Sequence, residues 1–144
     1  MKRLLAATAV AIAGLLIPAG ASAERLPGSS HGGAPLTATL APSVSGSNGT
    51  GSAMVTVNPG QGEVCYVVSV ANLTGAVIAA HIHRGPAGTN GPVVVPFSPS
   101  LGPGCTMVPR ELALAILHNP SAYYVNVHTP LHPAGEIRGQ LTGP

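Results

Sequence analysis

The chain has 144 residues, with six Lys plus Arg, four acidic residues and six His, for a formal net charge of +2. Every acid is Glu, and Asp and Trp are absent, which disfavours a catalytic centre of paired carboxylates; the lone Phe97 leaves little for base stacking. The basic excess sits in Lys2 and Arg3, and without residues 1–23 four Arg face four Glu, so charge gives no support for nucleic acid or an anionic membrane surface as partner.

The chain opens on Met1-Lys2-Arg3, runs apolar from Leu4 to Ile17, and passes Pro18 to the small-residue end Ala21-Ser22-Ala23. A basic start, a short apolar core and an A-x-A ending form the pattern of a secretory signal peptide, here residues 1–23. The apolar run is about 14 residues, short of the roughly 20 that a spanning helix needs, so no membrane span is expected after cleavage. The expected location is extracytoplasmic, either secreted or at the cell envelope. Residues 24–35 are rich in Gly, Ser and Pro without apolar period and read as a flexible leader.

From Leu36 onward, short runs rich in Val, Ile, Thr and Tyr alternate with clusters of Gly, Pro, Asn and Ser. Strands are expected at Leu36 to Leu40, Ala53 to Val57, Val64 to Val70, Val77 to His83, Val93 to Phe97, Thr106 to Val108, Tyr123 to His128 and Ile137 to Leu141. Arg110 to His118 is the one helical stretch, with Leu112, Ala115 and Ile116 on one face and Asn119-Pro120 as its stop. So many short strands with such turns predict one all-β domain, residues 36–144. Its expected architecture is an antiparallel Greek-key or Ig-like sandwich or barrel with one short helix. Cys65 and Cys105 are the only cysteines, and in an oxidising compartment they are expected to form a disulfide closing a loop of about 40 residues.

The pointed chemistry lies in the histidines. A strand's period of two places His81 and His83 on one face of Ala79-Ala80-His81-Ile82-His83, with Ala80 and Ile82 on the other. In Tyr123 to His128 the same rule sets Tyr124, Asn126 and His128 opposite Val125 and Val127, so all three histidines point away from a core built on Ile82 and the valines. A histidine-x-histidine pair with a third histidine suits Cu(II) or Zn(II), copper being bound more tightly; His132, in a Pro-flanked loop, is the candidate fourth ligand. Ordinary outward-facing polar positions are the competing reading. His31 falls in the leader, and His118 at a helix end where a cation suits the dipole.

Two long segments carry a family resemblance: His81-Ile82-His83-Arg84-Gly85-Pro86-Ala87-Gly88-Thr89-Asn90-Gly91-Pro92-Val93-Val94, and Tyr123 to Thr129 leading into Pro133-Ala134-Gly135-Glu136-Ile137-Arg138-Gly139-Gln140-Leu141. They resemble the CHRD (chordin) domain family, and the likeness runs from Leu36 to Leu141. It implies a secreted Ig-like or sandwich domain, found alone in bacteria and repeated in animal chordin. That usage supports, as an alternative to metal binding, an extracellular module for protein or glycan. Within the motif, Gly85 to Pro92 is expected to turn between strands, Gly135 and Gly139 to permit close backbone approach, and Glu136 and Arg138 to form surface ion pairs. The chain is also similar, more weakly, to copper–zinc superoxide dismutase, in which an H-x-H strand and a late histidine hold copper. It departs from that enzyme in having only His118 between His83 and His128, no Asp, and Arg138 out of evident register. The expected protein is therefore a non-enzymatic binder of copper, or less readily zinc, with superoxide dismutation as the third reading.

Overall fold

The computed structural model describes residues 33–143; the expected signal peptide, His31 and most of the expected leader lie outside them. Eight strands form in chain order: β1 Ala34–Pro42, β2 Thr50–Asn58, β3 Glu63–Ala71, β4 Ala79–Arg84, β5 Val93–Pro96, β6 Gly104–Met107, β7 Tyr123–Thr129 and β8 His132–Gln140. One helix, α1 Arg110–His118, lies between β6 and β7. All eight expected strands and the helix are present. β1 begins two residues inside the span read as leader, because Ala34 and Pro35 already pair with Val57 and Thr56.

Every pairing is antiparallel, in the order β5-β4-β7-β8-β1-β2-β3-β6. The sheet curls until its edges approach, and Thr106 Oγ1 donates to Pro96 O at 2.7 Å across the gap between β6 and β5. Of the architectures the sequence allows, this is the nearly closed barrel. Alternation builds its interior, since Leu36, Ala38 and Leu40 point inward from β1 while Thr37 and Thr39 point out. Val55, Val57, Val64, Tyr66, Ile82, Val125, Val127 and Ile137 complete the core without measurable exposure. Burying side chains of this size contributes about 1.5–3 kcal/mol each before entropy is counted.

Helix α1 packs against β2 and β3. It buries Ala113 and Ile116, with Leu112 and Ala115 only partly covered, so its inward face is rotated from the expected one. Asn119 closes the helix and Pro120 starts a short 3-10 turn into β7. Cys65 and Cys105 are directly paired residues of β3 and β6 and are joined by a disulfide across 40 residues of sequence. In the chain-entropy account such a closure contributes roughly 4 kcal/mol.

Candidate metal centre

Strands β4 and β7 are neighbours, and their register sets His81 opposite Asn126, His83 opposite Tyr124 and Ala79 opposite His128. Because Ile82, Val125 and Val127 face the core, His81, His83, Tyr124, Asn126 and His128 share the outer face. Parity is as expected, but exposure is not. All seven residues of β7 are buried; His83 is 6 % and His128 7 % exposed, and His81 is half-buried.

The covering comes from two segments. The connection from β4 to β5 folds back over the sheet: Gly91 N–H donates to Tyr124 Oη at 2.9 Å, and Gln140 Nε2 donates to Gly85 O at 3.0 Å. Gly91 permits this approach, since a Cβ there would lie 1.8 Å from Arg84 O. The second segment is the start of β8, five residues earlier than expected. There Asn126 Nδ2 donates to Ala134 O at 3.1 Å, beside a Gly135 whose φ of +115 and tight contact with the Asn126 amide leave no room for a side chain.

These segments also orient the imidazoles. His83 Nδ1 lies 2.8 Å from Gly91 O and His128 Nδ1 lies 3.0 Å from Pro133 O. A carbonyl only accepts, so both Nδ1 atoms carry the proton and both Nε2 atoms present a lone pair. His81 Nδ1 stands 3.1 Å from His128 Nε2, and His83 Nε2 is buried without a hydrogen-bond partner among the described residues. One ligand nitrogen from each of the three rings lies within 4.8 Å of the others. To sit about 2.0–2.1 Å from a common ion, each ring needs to move by no more than about 1 Å. The three expected ligands are thus brought together. His132 opens β8 opposite Thr129 and is not among the converging atoms, and His118 ends α1.

Electrostatics keeps the rings neutral. Burial first, then His128 and His83, holds His81 down at about 4. Burial likewise holds His83 and His128 below the ordinary imidazole value, opposed by the Gly91 and Pro133 carbonyls and helped by Arg138. A neutral imidazole is the form that binds a metal.

Two residues expected at the surface turn out otherwise. Glu136 is fully buried, and its carboxylate accepts from Ser47 Oγ, Thr74 N and Thr74 Oγ1 at 2.8 Å and Thr129 Oγ1 at 2.7 Å. Burial alone would raise its pKa, but these bonds hold it down at about 2. Arg138 is bonded to neutral oxygens rather than to Glu136: Nε donates to Asn126 Oδ1 at 3.2 Å, Nη1 to Thr89 O at 3.2 Å, and Nη2 to Asn90 Oδ1 and Ala134 O. Its guanidinium lies 5.5 Å from the Tyr124 ring, which stacks at 5.0 Å on His83. Strand parity places Tyr124 on the histidine face; Arg138 is brought beside it by the pairing of β7 with β8, which sets Asn126 opposite Arg138.

Among the described residues no helix is long and apolar enough to cross a membrane. The family model of the CHRD domain matches residues 33–141. No curated protein and no solved structure gives a significant match.

Proposed function

The chain belongs to the CHRD domain family, and on that footing we propose that it is an exported, non-enzymatic domain that holds one transition-metal ion, copper ahead of zinc, on His81, His83 and His128. The observation that carries this reading is the buried Nε2 of His83. Its ring is fixed by the bond from Nδ1 to Gly91 O, so the lone pair has a set direction, and no donor among the described residues meets it. A buried polar atom without a partner is destabilising, and a bound cation removes that penalty. His128 Nε2 is presented in the same way, and His81 joins it by a shift of its proton from Nδ1 to the other ring nitrogen. Export is supported by the amino-terminal pattern, by the Cys65–Cys105 disulfide, which suits an oxidising compartment, and by the family.

The test is titration of copper into the metal-free protein and into the His81→Ala/His83→Ala double variant. We expect one tightly bound ion in the former and loss of that site in the latter; equal stoichiometry and affinity would overturn the reading.

A second reading, an extracellular module for protein or glycan, is supported by an open groove of about 630 Å³ lined by Val70, Leu73, Val77 and Leu101, which shares no lining residue with the histidines. Partner binding that survives both metal removal and the double substitution would favour it.

A further inference from the structure

We infer that the histidine site discriminates by charge, and that Arg138 makes it a site for the monovalent cuprous ion over Cu(II) and Zn(II). This rests on the metal-binding reading above and adds to it the oxidation state of the ion.

The ligand set comes first. The converging group is three imidazole nitrogens, with no carboxylate or thiolate in it, so the site brings no negative charge to offset a divalent ion. Glu136, the acid nearest in sequence to these strands, spends its carboxylate on Ser47, Thr74 and Thr129. Cu(II) favours four or more ligands in a tetragonal array and Zn(II) completes a tetrahedron with a fourth ligand, whereas cuprous ion is satisfied by three. Two of the three rings are less than a tenth exposed, which limits the room for added waters.

The second component is a fixed positive charge. Arg138 and His83 both lie against Tyr124: the guanidinium is 5.5 Å from the Tyr124 ring and that ring is stacked 5.0 Å from the His83 ring. The guanidinium is held there by Asn126, Thr89, Asn90 and Ala134 oxygens, so it cannot swing away when an ion enters. The two distances to Tyr124 put the guanidinium no more than about 10 Å from the His83 ring; over a separation on the order of 10 Å at an effective dielectric of about 20, and at low ionic strength, each unit of charge on the ion weakens its binding roughly tenfold. A divalent ion carries one unit more than a monovalent one, so the Arg138 charge favours cuprous ion by about that factor, beyond the preference set by three-fold coordination.

Asn90 offers a mild way to cancel this charge. It is exposed, and Asn90→Asp keeps the oxygen that accepts from Arg138 while placing a carboxylate against the guanidinium. The experiment measures affinities of the disulfide-intact protein for cuprous ion, anaerobically against bicinchoninate, and for Cu(II) and Zn(II) against competing chelators. Four proteins are compared: the parent chain, Asn90→Asp, Arg138→Met and Arg138→Lys. We expect one cuprous ion bound more tightly than either divalent ion. Arg138→Met should lower the cuprous-to-divalent affinity ratio about tenfold, Asn90→Asp several-fold, and Arg138→Lys, which keeps the charge, less than either. A parent protein that prefers Cu(II) or Zn(II) on the triad, or ratios unmoved by both Asn90→Asp and Arg138→Met, would overturn this inference alone. Ions bound equally by the parent and by His81→Ala/His83→Ala would overturn the metal reading itself and this inference with it.

Discussion

The buried carboxylate of Glu136 ties three separate parts of the chain together, and replacing it with Gln isolates the worth of its charge. The carboxylate accepts four hydrogen bonds, from Ser47 before β2, from the backbone and hydroxyl of Thr74 before β4, and from Thr129 at the end of β7. Hydrogen bonds to a charged group contribute about 1.5–3 kcal/mol each, against about 0.5–1.5 kcal/mol for neutral ones. In Glu136→Gln the Oε1 atom keeps its two donors, and the Thr74 and Thr129 hydroxyls can rotate to accept from the new amide. The loss is therefore the charged part of the four bonds less the smaller cost of burying a neutral group, roughly 2–3 kcal/mol at pH 7. At several degrees per kcal/mol for a domain of this size, that lowers Tm by on the order of 10 °C. The pH dependence follows from a carboxyl held at about 2 in the folded protein against an ordinary 4.5. Its stabilisation is present above pH 4.5 and is lost as pH falls from 4.5 through about 2. Denaturant unfolding followed by circular dichroism at pH 7, 4.5, 3 and 2 should show the gap between parent and variant closing as pH falls. Protonation of histidines affects both proteins alike and cancels in the difference. Midpoints equal at pH 7, or a gap independent of pH, would refute the assignment of this stabilisation to a buried charged acceptor.

Two further outcomes follow from the site. Gly91→Ala drives a Cβ to within 1.8 Å of Arg84 O and displaces the carbonyl that orients His83; it should cost about 3 kcal/mol or more in unfolding experiments and weaken copper binding, and retention of both would show that the 85–92 connection does not set the ring. His81 has its imidazole held at about 4 against 6.5, so the metal-free protein should lose stability as pH falls from 6.5 towards 4, and His81→Ala should flatten that slope in a Tm-against-pH series; parallel slopes would refute it.

How much of this was legible in the sequence depends on the range of the interactions. Strands and turns are local, and runs such as Val64 to Val70 or Tyr123 to His128, bounded by Gly, Pro and Asn, locate them to within a few residues. The end of the helix is legible because Asn119-Pro120 cannot continue it. β8 starts five residues before the expected strand, because Pro133 and Gly135 carry turn chemistry and extend the strand only where the two-residue link Pro130-Leu131 returns His132 to pair with Thr129. Parity alone placed His81, His83 and His128 on one outer face, and the pairing of β4 with β7 then brought them within reach of each other.

What parity cannot convey is whether an outer face is wet. The histidine face is covered because Gly91 reaches Tyr124 and Arg138 reaches Thr89 and Asn90, contacts 33 to 49 residues apart that leave no periodic trace. Glu136 departs from its expected surface position for the same reason: its partners at Ser47 and Thr74 lie 89 and 62 residues away, so a position that alternation marks as outward is buried by segments from elsewhere. This difference matters to the chemistry. Three histidines on a wet strand face would be protonated near pH 6.5 and free to rotate, with little reason to hold an ion. Under a cover that supplies carbonyls to two Nδ1 atoms and buries two of the rings, the same three become neutral, oriented donors with one lone pair unmet. The chemistry belongs to the histidines, but the readiness to bind belongs to the glycines and carbonyls that enclose them.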